Sequence, residues 1–338
     1  METLDDAPLV EDDVAAIDRL RGSYDRLVQE LGQVIVGQEE VIEQLAICLF
    51  AQGHPLLMGV PGLAKTMLVK RLSETLDLSF SRIQFTPDLM PMDITGTDIL
   101  QEGQSGRREF DFIEGPLFSN IVLADEINRA PSKTQSAMLE AMQEHRVTVA
   151  GRTYDLAQPY FVLATQNPIE QEGTYPLPEA QLDRFMFMIE VHYPSRTEEI
   201  EIARTTTGAA QPPLQPVVTG EEVLAIQQLV RRVPVPDHIF EFAVDLVRRT
   251  RPAEGDAPEW LKPLVGWGAG PRAVQCLILG ARARAALKGS YLVRQEDVEA
   301  VAEPVLIHRV LRTFAAESEQ VSSRDIVRRL VEEIREER

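Results

Sequence analysis

Apolar positions along this chain follow two different periods, and the change between them divides the sequence. Short apolar runs at Pro55–Met58, Phe80–Thr86, Asn120–Ala124, Tyr160–Thr165 and Met186–Val191 predict strands. The nearly unbroken runs 120–124 and 160–165 are those of strands buried on both faces, as in a parallel sheet covered by helices. Helical spacing lies around and between them. Val14–Leu31 carries Ile17, Leu20, Tyr24, Leu27, Val28 and Leu31 on one side, and helices are also predicted at Glu40–Ala51, Met67–Leu76 and Ser132–Glu144. From Ser195 onward only the helical period remains. It predicts helices at Arg196–Thr206, Glu221–Val230, Asp237–Arg249, Arg272–Lys288, Arg294–His308 and Ser323–Arg335. A Pro-rich connection (208–218) and a loop from Arg251 to Ala269 containing Gly266-Trp267-Gly268 interrupt this series. The expected architecture is therefore an α/β core over residues 16–194, followed by a small all-α domain over 195–338.

Two stretches break the simple alternation of strand and helix. Asp93–Phe112 mixes glycines with polar residues and ends in Glu109-Phe110-Asp111-Phe112, which predicts a short helix with an inserted hairpin. Arg146–Tyr154 reads as a second hairpin. Phe185-Met186-Phe187-Met188-Ile189 reads as core strand, despite its methionines. The pairs Arg231-Arg232 and Arg248-Arg249 read as solvated helix C-termini favoured by the helix dipole.

Composition narrows the function classes. With 34 Lys and Arg against 53 Asp and Glu, the formal net charge is −19, which argues against a dedicated nucleic-acid binder and against attraction to anionic lipid. No apolar run is long enough to span a bilayer, so no direct membrane insertion is expected. The first residues are acidic rather than signal-like, and a cytoplasmic protein is expected. Residues 1–15 hold Glu2, Asp5, Asp6, Glu11, Asp12 and Asp13 without a basic residue, which predicts a disordered acidic tail. Cys48 and Cys276 lie far apart in apolar helical contexts and read as buried free thiols. The five histidines show no metal-ligand spacing.

The most informative stretch is Gly59-Val60-Pro61-Gly62-Leu63-Ala64-Lys65-Thr66, set between a predicted strand and a predicted helix. That is the context of a phosphate-binding loop. Glycines let the backbone close around phosphate oxygens with its N–H groups inward, Lys65 brings charge to the β/γ oxygens, and the Thr66 hydroxyl suits Mg²⁺. The candidate cofactor-binding set is Gly59, Pro61, Gly62, Leu63, Ala64, Lys65, Thr66 and Met67. Ala64 stands where glycine is usual. A methyl group is tolerable there if Ala64 already has helical φ below zero, which is the expectation.

The strand 120–124 then delivers two carboxylates, Asp125 and Glu126. Following a phosphate loop in this order, they suit a Walker B pair: Asp125 holds Mg²⁺ through water and Glu126 polarises the attacking water. Asn167, at the tip of the next buried strand, could reach the γ-phosphate and orient that water; the alternative for Asn167-Pro168 is a plain turn. Arg184, in Leu182-Asp183-Arg184-Phe185, has no obvious partner in the nucleotide site of its own chain and suits a finger inserted into a neighbour's site. Gly270-Pro271-Arg272 starts a helix whose arginine could reach a nucleotide from the lid.

With these motifs in order, the chain resembles the AAA+ ATPases, and within them the MoxR family. The resemblance rests on GVPGLAKT (59–66), Glu114-Gly115-Pro116 with Phe118 and Asn120, DEINRA (125–130), EAMQE (140–144), ATQNP (164–168) and LDRF (182–185). It spans residue 20 to the C-terminus, and Ala64 is itself a habit of that family. The resemblance implies a P-loop AAA+ core, with a parallel sheet flanked by helices, and a helical lid. It also implies that the turn at Val36 and Gly37 packs on the adenine, and that ATP with Mg²⁺ is bound between subunits of a homo-oligomeric ring, commonly a hexamer. MoxR relatives act as chaperone-like motors that mature or activate client proteins, often with a partner carrying a von Willebrand factor A domain. The inserted hairpins would face the client or the pore. Within the same enzyme class the alternative is the motor subunit of a metal-chelatase-like complex. A non-hydrolysing nucleotide-dependent switch is a further alternative, against which Glu126, Asn167 and Arg184 all speak. Whether Arg129 or Arg146 also acts across a subunit interface stays open at this stage.

Overall fold

The computed structural model describes residues 11–60, 62–102, 108–169, 173–208 and 213–337. The expected α/β core is present. In chain order it comprises α1 (Glu11–Gly32), α2 (Glu39–Phe50), β1 (Pro55–Met58), α3 (Lys65–Thr75), β2 (Phe80–Gln84) and α4 (Pro91–Thr95). A hairpin of β3 (Gly96–Glu102) and β4 (Arg108–Glu114) follows, then β5 (Ile121–Asp125), α5 (Ser132–Glu144) and a second hairpin of β6 (Arg146–Val149) and β7 (Arg152–Asp155). The core closes with β8 (Phe161–Gln166), α6 (Glu179–Leu182) and β9 (Phe187–Glu190). The main sheet has five parallel strands in the order β2-β5-β8-β1-β9. Its central strands are buried along their length because helices cover both faces, which is why they read as continuous apolar runs.

This order puts the C-terminal ends of β1, β5 and β8 side by side, each followed by a loop that carries candidate chemistry. Residue 61 of the phosphate loop, Pro61, lies outside the described residues, as do 1–10 of the expected acidic tail. The rest of that tail departs from expectation, because α1 already begins at Glu11. The acids of its first turn favour a helix N-terminus. Asp13 is buried and pairs with Arg232 at 2.7 Å. The doubled arginines are correspondingly more than solvated helix ends. Arg231 donates to Gln52 at 2.7 Å, and Arg248 and Arg249 pair with Asp256 and Glu337.

The C-terminal part holds α7 (Arg196–Thr206), α8 (Gly220–Arg232), α9 (Asp237–Arg249), α10 (Pro271–Leu287), α11 (Gln295–Leu306), α12 (Phe314–Ser318) and α13 (Ser323–Glu337). Among the described residues it is helical as expected apart from one short antiparallel ribbon, β10 (Val265–Trp267), inside the stretch read as loop, with β11 (Leu311–Arg312), between two predicted helices. One apolar cluster runs without a break from Ile17, Leu45 and Val69 through Phe187 to Phe242, Leu277 and Val301, so the helical part and the sheet share a core. Gly280 of α10 shows how closely they approach: a Cβ there would stand 3.2 Å from the ring of the fully buried Phe187. The two hairpins are also joined, because Phe112 of β4 stacks on Tyr154 of β7 with ring centroids 4.1 Å apart.

Buried His54 pins the sheet to α5. Its Nδ1 accepts from the Val162 N–H at 3.1 Å, so Nε2 carries the proton and donates to the Met142 carbonyl at 3.1 Å. Burial pushes its pKa from 6.5 down to about 4. Because the folded value lies below the unfolded one, the stabilisation is complete above 6.5 and is lost as pH falls toward 4; the full effect is on the order of 3 kcal/mol. His54→Asn should therefore cost stability at pH 7 and much less at pH 4.5, as read by denaturant unfolding at the two pH values.

Candidate functional site

The phosphate loop follows β1, whose Leu56 and Leu57 are fully buried between β8 and β9. Gly59 passes so close to β9 that a Cβ would meet the Val191 carbonyl at 2.9 Å, and its N–H donates to the Gln166 carbonyl at 3.3 Å. Gly62 has φ 86° and Ala64 φ 55°, both left-handed. The expectation that Ala64 is already helical with φ below zero is therefore corrected. Ala64 is the left-handed residue just before α3, a conformation that costs a non-glycine residue on the order of 1 kcal/mol. That cost explains why glycine is usual there. Lys65 opens α3 and folds back onto the Gly59 carbonyl. Burial pushes its pKa down, while the nearby Asp125 and Glu126 carboxylates oppose that.

The two acids are held by side chains that the sequence alone did not bring forward. Thr165, on β8 beside β5, donates to Asp125 Oδ1 at 2.6 Å and accepts from the Glu126 N–H at 2.8 Å. Arg82 on β2 grips Asp125 Oδ2 through Nε at 3.1 Å and Nη2 at 2.6 Å. Thr66 Oγ1 stands 3.5 Å from the same Oδ2. Glu126 has left-handed backbone, φ 58°, strain of the kind kept at functional sites. Its Oε2 accepts from Gln84 at 2.8 Å and Arg129 at 3.0 Å. Arg82 and Gln84 alternate on one face of β2, and the partly exposed, polar sequence of that strand gave no signal of their role. Asn167 is buried at the end of β8, and its Oδ1 accepts from the Ile169 N–H at 3.1 Å, so a turn is also formed there.

Beside the loop opens an apolar cleft of about 480 Å³, lined by Val36, Gly62, Leu63, Ala64 and Met67 on one side and Tyr193, Pro194, Ile202 and Ala203 on the other. The residues from α7 and the turn before it were missed, because an amphipathic helix at a domain junction gives no signal of facing a ligand. Gly37 lies in the adjoining cavity with φ 68°, where a Cβ would reach within 2.4 Å of Glu198 Oε1.

Neither predicted arginine lines this cleft. Arg184 lines a separate cavity of about 460 Å³ with Arg146, Glu140 and Glu144. Arg272 pairs with Asp183, the residue before Arg184, at 3.3 Å. Arg272 is thus tied to the segment that carries Arg184, whereas Arg129 pairs with Glu126.

The oxygen donors Thr66 and Asp125 suit a hard cation that keeps waters and substrate oxygens as its other ligands, as Mg²⁺ does. An apolar cleft beside a glycine-containing loop with a lysine at the start of a helix suits a nucleotide.

A family model described as the ATPase family associated with various cellular activities (AAA) matches residues 54–187, and an AAA lid domain model matches 260–330. The chain is 42% identical over 312 residues to "Chaperone MoxR1" of Mycobacterium tuberculosis, covering 92% of this chain and 82% of that protein. It is 30% identical over 306 residues to "Protein MoxR" of Methylorubrum extorquens, covering 86% and 88%. The chain belongs to the MoxR family of AAA+ ATPases. A crystal structure of a candidate ATPase from Cytophaga hutchinsonii superposes with a TM-score of 0.87 at 42% identity, covering 94% of this chain and 96% of that one. The apolar cleft beside the phosphate loop is the candidate place for a nucleotide base. Ile202→Asp, which puts a charge into that cleft, should weaken binding of a fluorescent ATP analogue by about tenfold or more while leaving the melting temperature nearly unchanged.

Proposed function

We propose that this chain hydrolyses ATP as one subunit of a homo-oligomeric ring, and that the cycle remodels, matures or activates client proteins. The observation that carries the reading is a division of labour in the geometry. Lys65, Thr66, Asp125 and Glu126 meet at the ends of β1 and β5, whereas Arg184 lines a different cavity and Arg272 is paired with Asp183, the residue before Arg184. A site whose cationic groups are split in this way is complete when a neighbour supplies the second half.

In the proposed reaction a water oxygen attacks the γ-phosphorus and the bond to the β–γ bridging oxygen breaks, leaving ADP and phosphate. Glu126 orients the water and draws on its proton, and Asn167 holds the γ-phosphate side of the site. For that work Glu126 must exchange its Gln84 and Arg129 partners for the water. Lys65 and the loop N–H groups bind the β/γ oxygens; Arg184 from the neighbour, and Arg272 from the lid, take up charge that spreads over the transferring group. Mg²⁺ held by Thr66 and Asp125 supplies charge neutralisation at the phosphates.

The client-directed part of the reading is supported by the family. One similar protein is itself named a chaperone. A von Willebrand factor A domain partner, a ring of six and a cytoplasmic setting belong to the same proposal. No helix among the described residues is long and apolar enough to cross a membrane. Residues 16–194 are taken as the nucleotide-binding core and 195–338 as the lid.

Lys65→Ala should abolish ATP binding. Glu126→Gln should retain binding and lose about 100-fold or more in turnover; unimpaired hydrolysis in that variant would remove Glu126 from its role. Turnover per chain should rise with protein concentration in the natural protein and stay flat and low in Arg184→Ala, which should still bind ATP. Turnover indifferent to both concentration and Arg184 would overturn the shared-site reading.

A further inference from the structure

We infer that Arg309, which follows α11 in the lid, is a positioning residue that sets the arginine finger Arg184 for the neighbouring subunit's site. The inference rests on the shared-site reading above and deepens it. Arg309 is buried, only 5% exposed; Nη1 also donates to the Val305 carbonyl of α11, while Nε and Nη2 are directed mainly at the short segment that carries Arg184. Nη2 donates to the Asp183 carbonyl at 2.9 Å and to the Phe185 carbonyl at 2.7 Å, the two peptide oxygens on either side of the finger. Nη1 reaches the Met186 carbonyl at 3.2 Å, and Nε binds the Asp183 carboxylate at 2.8 Å. The other oxygen of that carboxylate accepts from Arg272.

These contacts have a physical consequence for the finger. A side chain that must reach into another subunit depends on the direction in which its Cα–Cβ bond leaves the backbone, and misplacement by about 1 Å can cost 100-fold in rate. Phe185, fully buried, fixes one flank by packing. Asp183 is a third exposed; its N–H is held by the Glu179 carbonyl of α6, and its carbonyl and carboxylate are both held by the planar fork of Arg309. Buried carbonyls with a guanidinium partner are costly to release, so the segment has one low-energy arrangement. The same contact orients Arg272 through Asp183.

The position of Arg309 also ties the finger to the lid. Glu303, Pro304 and Ile307, at the end of α11 and just beyond it, line the cavity that holds Val36, Gly37 and Tyr193 beside the base cleft. Arg309 lies two residues past Ile307. A lid shift at the chain's own nucleotide is therefore passed to the finger aimed at the next one.

Arg309→Met should bind ATP within about threefold of the natural affinity and lose about 100-fold in kcat. Subunit mixing separates positioning from damage. Lys65→Ala chains bind no ATP but present an intact Arg184, so mixing them with Arg309→Met chains before assembly should restore turnover well above the sum of the two alone. Arg184→Ala mixed with Lys65→Ala should do the same. Recovery with Arg184→Ala but not with Arg309→Met overturns the role of Arg309 and leaves the shared site standing. Recovery in neither mixture overturns the shared site, and this inference with it. Should Arg309→Met fail to fold, Arg309→Lys, which keeps the charge and part of the hydrogen bonding, is expected to show a smaller loss of kcat that is rescued in the same mixture; a loss without rescue overturns the inference.

Discussion

The hydroxyl of Thr165 bonds to both acidic residues at the end of β5, donating to the Asp125 carboxylate and accepting from the Glu126 backbone, and it can do so only because β8 lies directly beside β5. Parallel strands in that order need long crossovers, and here α5 and the second hairpin form the crossover that returns the chain to the neighbouring position. The apolar fill of the two strands is what makes the pairing stable. The two polar side chains at their ends can then be fixed without a buried charge left unmet, since Arg82 from the strand on the other side of β5 completes the set. Strand order, core packing and the acidic pair are thus one constraint seen at three scales.

A second set of contacts works in the opposite direction, from the lid into the core. Arg309 reaches from the end of α11 to the segment between α6 and β9, and His308 beside it is kept neutral by burial and by the adjacent guanidinium. With α1 and α2 packed into the same apolar cluster as α8 and α10, the helical part is no loosely hinged appendage. A continuous apolar interface of this kind favours small sliding of packed faces over a free hinge.

Much of this was legible in the sequence, for reasons that can be named. Doubly buried strands leave unbroken apolar runs, and a phosphate loop leaves a spaced glycine pattern, so β1, β5, β8 and the residues at their tips could be read directly. Local rules failed where a distant partner decided the outcome. Asp12 and Asp13 look like tail residues until Arg232, far along the chain, is seen to pair with Asp13 inside a helix. Ala64 was expected to be helical, because nothing local reveals that the loop must turn left-handed there to present its N–H groups. Arg82 and Gln84 were invisible as site residues, since their role comes from the order of strands rather than from their own neighbours. Arg272 read as reaching a nucleotide by itself, whereas the structure ties it to the residue preceding Arg184.

The stacking of Phe112 on Tyr154 joins two hairpins that are separate in sequence, and Phe118 packs edge-on against both rings. Such a joint makes the pair inherit together. A swap of either hairpin between relatives would bring half of an aromatic interlock to a partner surface cut for another, so a chimera should exchange both at once. Variation in these surface loops is, on this account, coupled across some forty residues of chain.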